Sequence, residues 1–234
     1  MTNGLTTRSA APLLLLLAIG VAPVASSAGA LDALSSKDTS AGLKAALSQG
    51  VDKAVKQLGA PDGFLNNPKV TIPLPSALEK ADRALRMVGM GGDADELRAT
   101  MNHAAEAAVG EAGPVLKKSL RSMTVEDAKG ILTGGEDSAT QYFRRSSGDE
   151  LKAKFKPIVV RATARLKLAA LYDQYAGKAA GIGLMSASDA DLNEYVTNRA
   201  LDGLFTVIAD EERAIRKDPL GQASSLIKKV FGAL

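Results

Sequence analysis

Two adjacent acids, Glu211 and Glu212, interrupt the best apolar stripe in the chain. The stripe runs through Leu192, Tyr195, Val196, Leu201, Leu204, Phe205, Ile208 and Ile215 near the helical period. Between Ile208 and Ile215 the bridging positions are these two glutamates, so at least one lies on or beside a buried track. A carboxylate there is paired, hydrogen-bonded or protonated. Glu212 precedes Arg216 by four residues, the favourable order for a helical ion pair, and that structural role is the expectation. The sharper alternative is a ligand-facing acid. Asp202 and Arg216 on the same helix, with Asp137, Tyr142 and Arg144 from the run GGEDSATQYFR, complete the candidate binding residues. Each has a plain structural reading as well. Asp137 can cap a helix, Tyr142 can pack with a hydrogen-bonded tip, and Arg144 can pair with a glutamate.

His103 is the only histidine. His103 and Glu106 share one helical face, a spacing that can supply two metal ligands. One histidine cannot build a multi-histidine zinc centre, and the helical di-metal pattern is Glu-x-x-His, repeated. We therefore expect no metal and no cofactor. The chain has no cysteine, which removes disulfides, thiolate ligands and thiol nucleophiles together. It also has no G-x-S-x-G elbow. Gly134–Gly135 precedes a helix start that can accept an anion, but no P-loop pattern follows.

These residues need helices to hold them. The organising helix spans about 189–217, with Asp189 or Asp191 as N-cap, Arg213, Arg216 and Lys217 in the last turn, and Pro219 as its stop. Asp38–Leu58 is a helix with Leu43, Leu47, Val51, Val55 and Leu58 inward, interrupted by Gly50 and ended at Gly59. The run GAPDGFLNNPKVTIPLP reads as an ordered loop that crosses the helices and buries Phe64, Leu65, Val70, Ile72 and Leu74. Prolines at both ends argue against a central strand. We expect this loop to be a clip on the core. Helices follow over Ser76–Val88, over Glu96–Val109 with Asp93 or Asp95 as cap, and from Pro114 to Leu120. Thr124-x-x-Asp127 resembles a capping box opening a helix to Leu132. A short helix runs from Asp137 or Ser138 through Arg145. A long one runs from 149 to 179, kinked at Pro157, with Gly181-Ile182-Gly183 turning into the organising helix. Ser224–Phe231 forms a terminal helix. The fold class is all-α, a single multi-helix, bundle-like domain with one short, extended, proline-flanked loop.

Residues 1–30 read as a signal peptide. Arg8 gives a positive start, Leu13–Ile19 a short apolar core, and residues 26–30 two small-x-small cleavage patterns. We expect cleavage near residues 28–30, a periplasmic location, and a single domain over 31–234 without a membrane span. Net charge is +3 and tryptophan is absent, so stacking platforms are scarce and nucleic acid is not an expected partner. Lys154, Arg161 and Arg165 share a face of the 149–179 helix, a pattern most often solvated, though anionic lipid can meet it.

The runs LKAALSQGVDKAVKQLG (43–59), DGFLNNPKVTIPLP (62–75), MNHAAEAAV (101–109), MTVEDAKGILTGGEDSATQYFR (123–144) and YVTNRALDGLFTVIADEERAIRKDP (195–219) together resemble the bacterial domain of unknown function 4197 family. The resemblance covers nearly the whole chain after residue 30 and implies export. His103 departs from it, standing where the family pattern has arginine. The family brings no activity with it. The expected function is a non-enzymatic envelope protein that binds a lipid or other amphipathic ligand, or a protein partner. The alternatives are a structural or assembly protein of the envelope and, less favoured, a hydrolase using Glu211, Glu212, Asp202 and Asp137.

Overall fold

In the computed structural model the described residues are Met1, 36–87, 89, 91–181 and 191–218. Among them are eight helices and no strand: α1 (Ser36–Leu58), α2 (Ser76–Met87), α3 (Gly92–Val109), α4 (Ala112–Ser122), α5 (Val125–Thr133), α6 (Ser138–Arg165), α7 (Leu168–Gly181) and α8 (Leu192–Lys217). The expected cleavage region, the turn at 182–183, Pro219 and the helix at 224–231 lie outside the described residues.

The organising helix is central. α8 packs against α6, α1 and α3, while α6 also lies along α3. Its stripe is buried at Leu192, Val196, Leu204, Phe205, Ile208 and Ile215, with Tyr195 and Leu201 at the margin. Asp191 caps it, accepting the backbone N–H of Glu194 at 2.9 Å. α4 and α5 close one side of α1, and α7 covers α3 and α2.

The proline-flanked run is the clip expected from its sequence. Phe64, Val70, Ile72 and Leu74 are buried and Leu65 is partly so. Full burial of such side chains contributes ~1.5–3 kcal/mol each. The ring of Phe64 lies over Gly203 of α8, where an added Cβ would stand 2.6 Å from Phe64 Cε1. Tyr195 of α8 holds the far end of the loop, its hydroxyl donating to the Pro73 carbonyl at 3.1 Å. Thr124 and Asp127 form the expected capping box at the start of α5.

Several boundaries differ from those expected. The helices expected at 137–145 and 149–179 are one helix through Gly148, broken instead at 166–167, where Lys167 has φ +55°. The break leaves α7 as a separate helix. Pro157 sits inside α6 on its exposed side, as does Ala153, whose carbonyl loses its helical donor, and the helix continues past it. α3 begins earlier than expected, at Gly92 with Gly91 as N-cap, so Asp93 and Asp95 lie in its first turn. There they complement the helix dipole. α4 likewise starts before Pro114, at Ala112.

Candidate functional site

The buried polar side chains show how this chain spends its polarity. Glu212 is 3% exposed and Glu211 is not buried, so Glu212 is the acid on the buried track. Its Oε1 accepts the backbone N–H of Ala139 at 2.9 Å, and its Oε2 accepts the N–H and the hydroxyl of Thr140, each at 2.9 Å. Ala139 and Thr140 are the second and third residues of α6, and its N-cap, Asp137, makes no side-chain cap bond. A residue from another helix therefore does the capping work normally done locally. The helix start after Gly134–Gly135 does take an anion, and the anion is the chain's own.

Arg216 completes the arrangement. Its Nη2 donates to Glu212 Oε1 at 2.9 Å and to the Ile131 carbonyl at 2.8 Å, and its Nε lies 3.2 Å from Glu212 Oε1. Ile131 lies in the last turn of α5, whose carbonyls have no partners within the helix. One ion pair at the end of α8 thus serves the closing end of α5 and the opening end of α6.

A second arrangement sits on α3. Asn102, fully buried, accepts the N–H of Ile72 at 2.8 Å and donates to the Ile72 carbonyl at 3.0 Å and the Arg98 carbonyl at 2.7 Å. It gives the extended loop the backbone pairing that a neighbouring strand would give. One turn on, Glu106 accepts the N–H groups of Phe64 (3.1 Å, Oε1), Leu65 (3.4 Å, Oε1) and Asp62 (3.2 Å, Oε2). Asp62 has φ +59°, and its Oδ1 lies 3.0 Å from His103 Nε2. Asp62, His103 and Glu106 present ligand atoms all within 4.8 Å of one another. Beside them an open groove of about 480 Å3 runs between the loop and α8, lined by Gln57, Asp62, Asn66, Asn67, Lys69, Val207, Asp210 and Glu211 among others.

The remaining candidates fall in different places. Tyr142 is buried and donates to the Ser119 carbonyl at 3.0 Å. Arg144 lies over the ring of Phe205, 4.6 Å from its centroid, and 3.7 Å from Asp202 Oδ1 on the surface. Glu211 pairs with Lys53 at 2.7 Å, and Asp137 accepts from Gln141 at 3.1 Å. The structure therefore joins Glu212 to Arg216 and Arg144 to Asp202, while Glu211, Asp137 and Tyr142 each face other groups. Lys154, Arg161 and Arg165 are exposed.

A larger open groove, about 580 Å3, lies where α6 passes into α7 beside the start of α8. Buried Leu168, Leu192 and Thr163 form its floor, Val160, Ala164, Ala169, Ala170 and Tyr172 its walls, and Lys167, Asp173, Asp191 and Asn193 its polar rim. No described helix is long and apolar enough to cross a membrane. The groove depends on the break at 166–167, which no residue pattern announces.

These features define an all-helical domain in which buried carboxylate and carboxamide groups clasp backbone between helices. The chain belongs to the family described as Protein of unknown function (DUF4197), whose model matches residues 33–232. Comparison with curated proteins and with solved structures returns no match.

Proposed function

We propose that this is a non-enzymatic protein of the cell envelope, exported by its leader, that binds an amphipathic ligand in the groove between α6, α7 and α8. The observation that carries the reading is the make-up of that groove: two buried leucines with one threonine hydroxyl on the floor, and mostly small apolar walls within a rim of opposite charges. Its size falls in the range of small-molecule sites, which pair apolar linings with a few polar groups. The buried acids point the same way. Glu106 and Glu212 each accept three protein hydrogen bonds, and Glu212 is also paired with Arg216. A general acid or base must instead reach the proton it transfers.

The exposed side chains of Val160 and Leu166 near the groove favour a second reading, in which the same face joins copies of the chain in an assembly.

Native mass spectrometry of the protein purified from the periplasm without detergent, then of the protein mixed with a lysophospholipid below its micellar concentration, tests both. The expected result is a monomer carrying one lysophospholipid, with the adduct lost in Ala170→Arg, a change at an exposed groove position. A protein that takes up no lysophospholipid overturns the ligand reading, and a symmetric oligomer disrupted by Ala170→Arg replaces it with assembly.

A further inference from the structure

We infer that Asp62, His103 and Glu106 form a site for one divalent transition-metal ion, of which zinc is the simplest example. From sequence alone His103 and Glu106 supply only two donors and no metal is expected. The fold adds a third, Asp62, by bringing the loop after α1 over the last two turns of α3. The set is then one imidazole nitrogen and two carboxylate oxygens, all within 4.8 Å of one another.

Zinc ligands lie about 2.0–2.2 Å from the metal, which sets neighbouring donors roughly 3.3 Å apart. His103 Nε2 and Asp62 Oδ1 are already at that spacing, 3.0 Å. Glu106 is the fixed member. Two N–H groups occupy its Oε1 and one occupies Oε2, leaving Oε2 room for a further bond. Ligand carboxylates held by such outer hydrogen bonds are a regular feature of metal centres. The two half-exposed side chains, Asp62 and His103, are the ones free to close on the ion.

A plain hydrogen bond accounts for the approach of His103 to Asp62. The loop N–H groups that Glu106 accepts hold a third donor, buried and preoriented, in the same small volume. Water from the adjoining groove can fill the remaining coordination positions. Imidazole with carboxylates suits zinc and its transition-metal neighbours, whereas calcium and magnesium take oxygen alone. The site is open and has one histidine, so it differs from a closed structural zinc site.

Because His103 is the only histidine and the chain has no cysteine, nitrogen coordination in an untagged protein reports on this site alone. The experiment is calorimetric titration of zinc chloride into metal-free, untagged protein, with His103→Gln and Asp62→Asn as variants and X-ray absorption at the zinc edge as second readout. Glu106 is left intact because its loss would release the loop. The expected result is one zinc per chain with an imidazole shell, weakened at least about tenfold by each substitution while the helical circular dichroism is unchanged. Absence of saturable binding, or binding that either variant retains at full strength, overturns the site.

Discussion

A single oxygen of Glu212, Oε2, receives both the backbone N–H and the hydroxyl of Thr140, each at 2.9 Å. With Oε1 on Ala139 and Arg216, the carboxylate has every donor it can use. Glutamine in its place keeps the shape but turns one acceptor into a donor, aimed at N–H or guanidinium groups that are donors themselves. Breaking a buried charge pair from one side costs about 3–5 kcal/mol. Glu212→Gln is therefore expected to lower the unfolding free energy by about 3 kcal/mol in urea titration. Arg216→Met should cost less, because three hydrogen bonds still hold the carboxylate. The double variant should fall short of the sum, since both changes break one network. A loss below about 0.5 kcal/mol for Glu212→Gln would mean the carboxylate is not the cap that fixes α6.

The loop predicts a different failure. Asn102 is the sole partner of the Ile72 N–H among the described hydrogen bonds and also meets its carbonyl. Asn102→Ala strands both groups in the core, at a cost of about 2 kcal/mol. Amide hydrogen exchange should show Ile72 and the N–H groups near it losing protection while α8 keeps its own. Uniform loss across the molecule would instead show that the loop unfolds only with the whole domain.

What could be read from the residues follows from the range of each interaction. The stripe of α8 predicts a buried acid at 211 or 212 because periodicity is local. At 100° per residue both flank the stripe, and only the partners, about 70 residues away, decide between them. The Glu212–Arg216 pair was legible at four residues' spacing, whereas its contacts with Ala139, Thr140 and Ile131 were not. Asn102 and Glu106 left a fainter sign. Both sit among the buried alanines of α3, and the proline-flanked loop carries buried N–H groups that need acceptors from somewhere. The hydrogen-bond needs of that loop point to polar positions on a neighbouring helix. The break at 166–167 had no such sign, since Lys167 is an unusual residue for positive φ.

Gly203 is expected to tolerate no side chain. An alanine Cβ there would lie 2.6 Å from Phe64 Cε1, 3.1 Å from Cζ and 3.3 Å from Val70 Cβ. Phe64 is fully buried, so its ring has little room to yield. Overpacking of this kind costs about 1–3 kcal/mol, more than alanine gains from its better helix propensity. Thermal melting should show Gly203→Ala less stable, and Phe64→Leu in that background should recover part of the loss. Gly50 is the control. A Cβ there meets Glu211 Cβ at 3.5 Å and Ile215 Cδ1 at 3.6 Å, ordinary contact, so Gly50→Ala should be neutral or stabilising.

Tyr175 of α7 is fully buried, and no described group meets its hydroxyl in hydrogen-bonding geometry. Burial first, then the Asp82 carboxylate, push its pKa from 10.0 up to about 12. A raised pKa means that the folded state holds the proton after the unfolded chain has released it. The contribution of Tyr175 to stability is therefore complete below pH 10 and is lost as pH rises from 10 to about 12. Spectrophotometric titration of wild type should show a late tyrosinate step near pH 12, or one that coincides with unfolding, and Tyr175→Phe should lack it. At neutral pH that variant should lie within about 1 kcal/mol of wild type or be more stable, because it removes a buried hydroxyl that gains no hydrogen bond. Between pH 10 and 12 its stability should fall less steeply than that of wild type. A Tyr175→Phe protein with an unchanged alkaline slope would place the loss of stability at other groups.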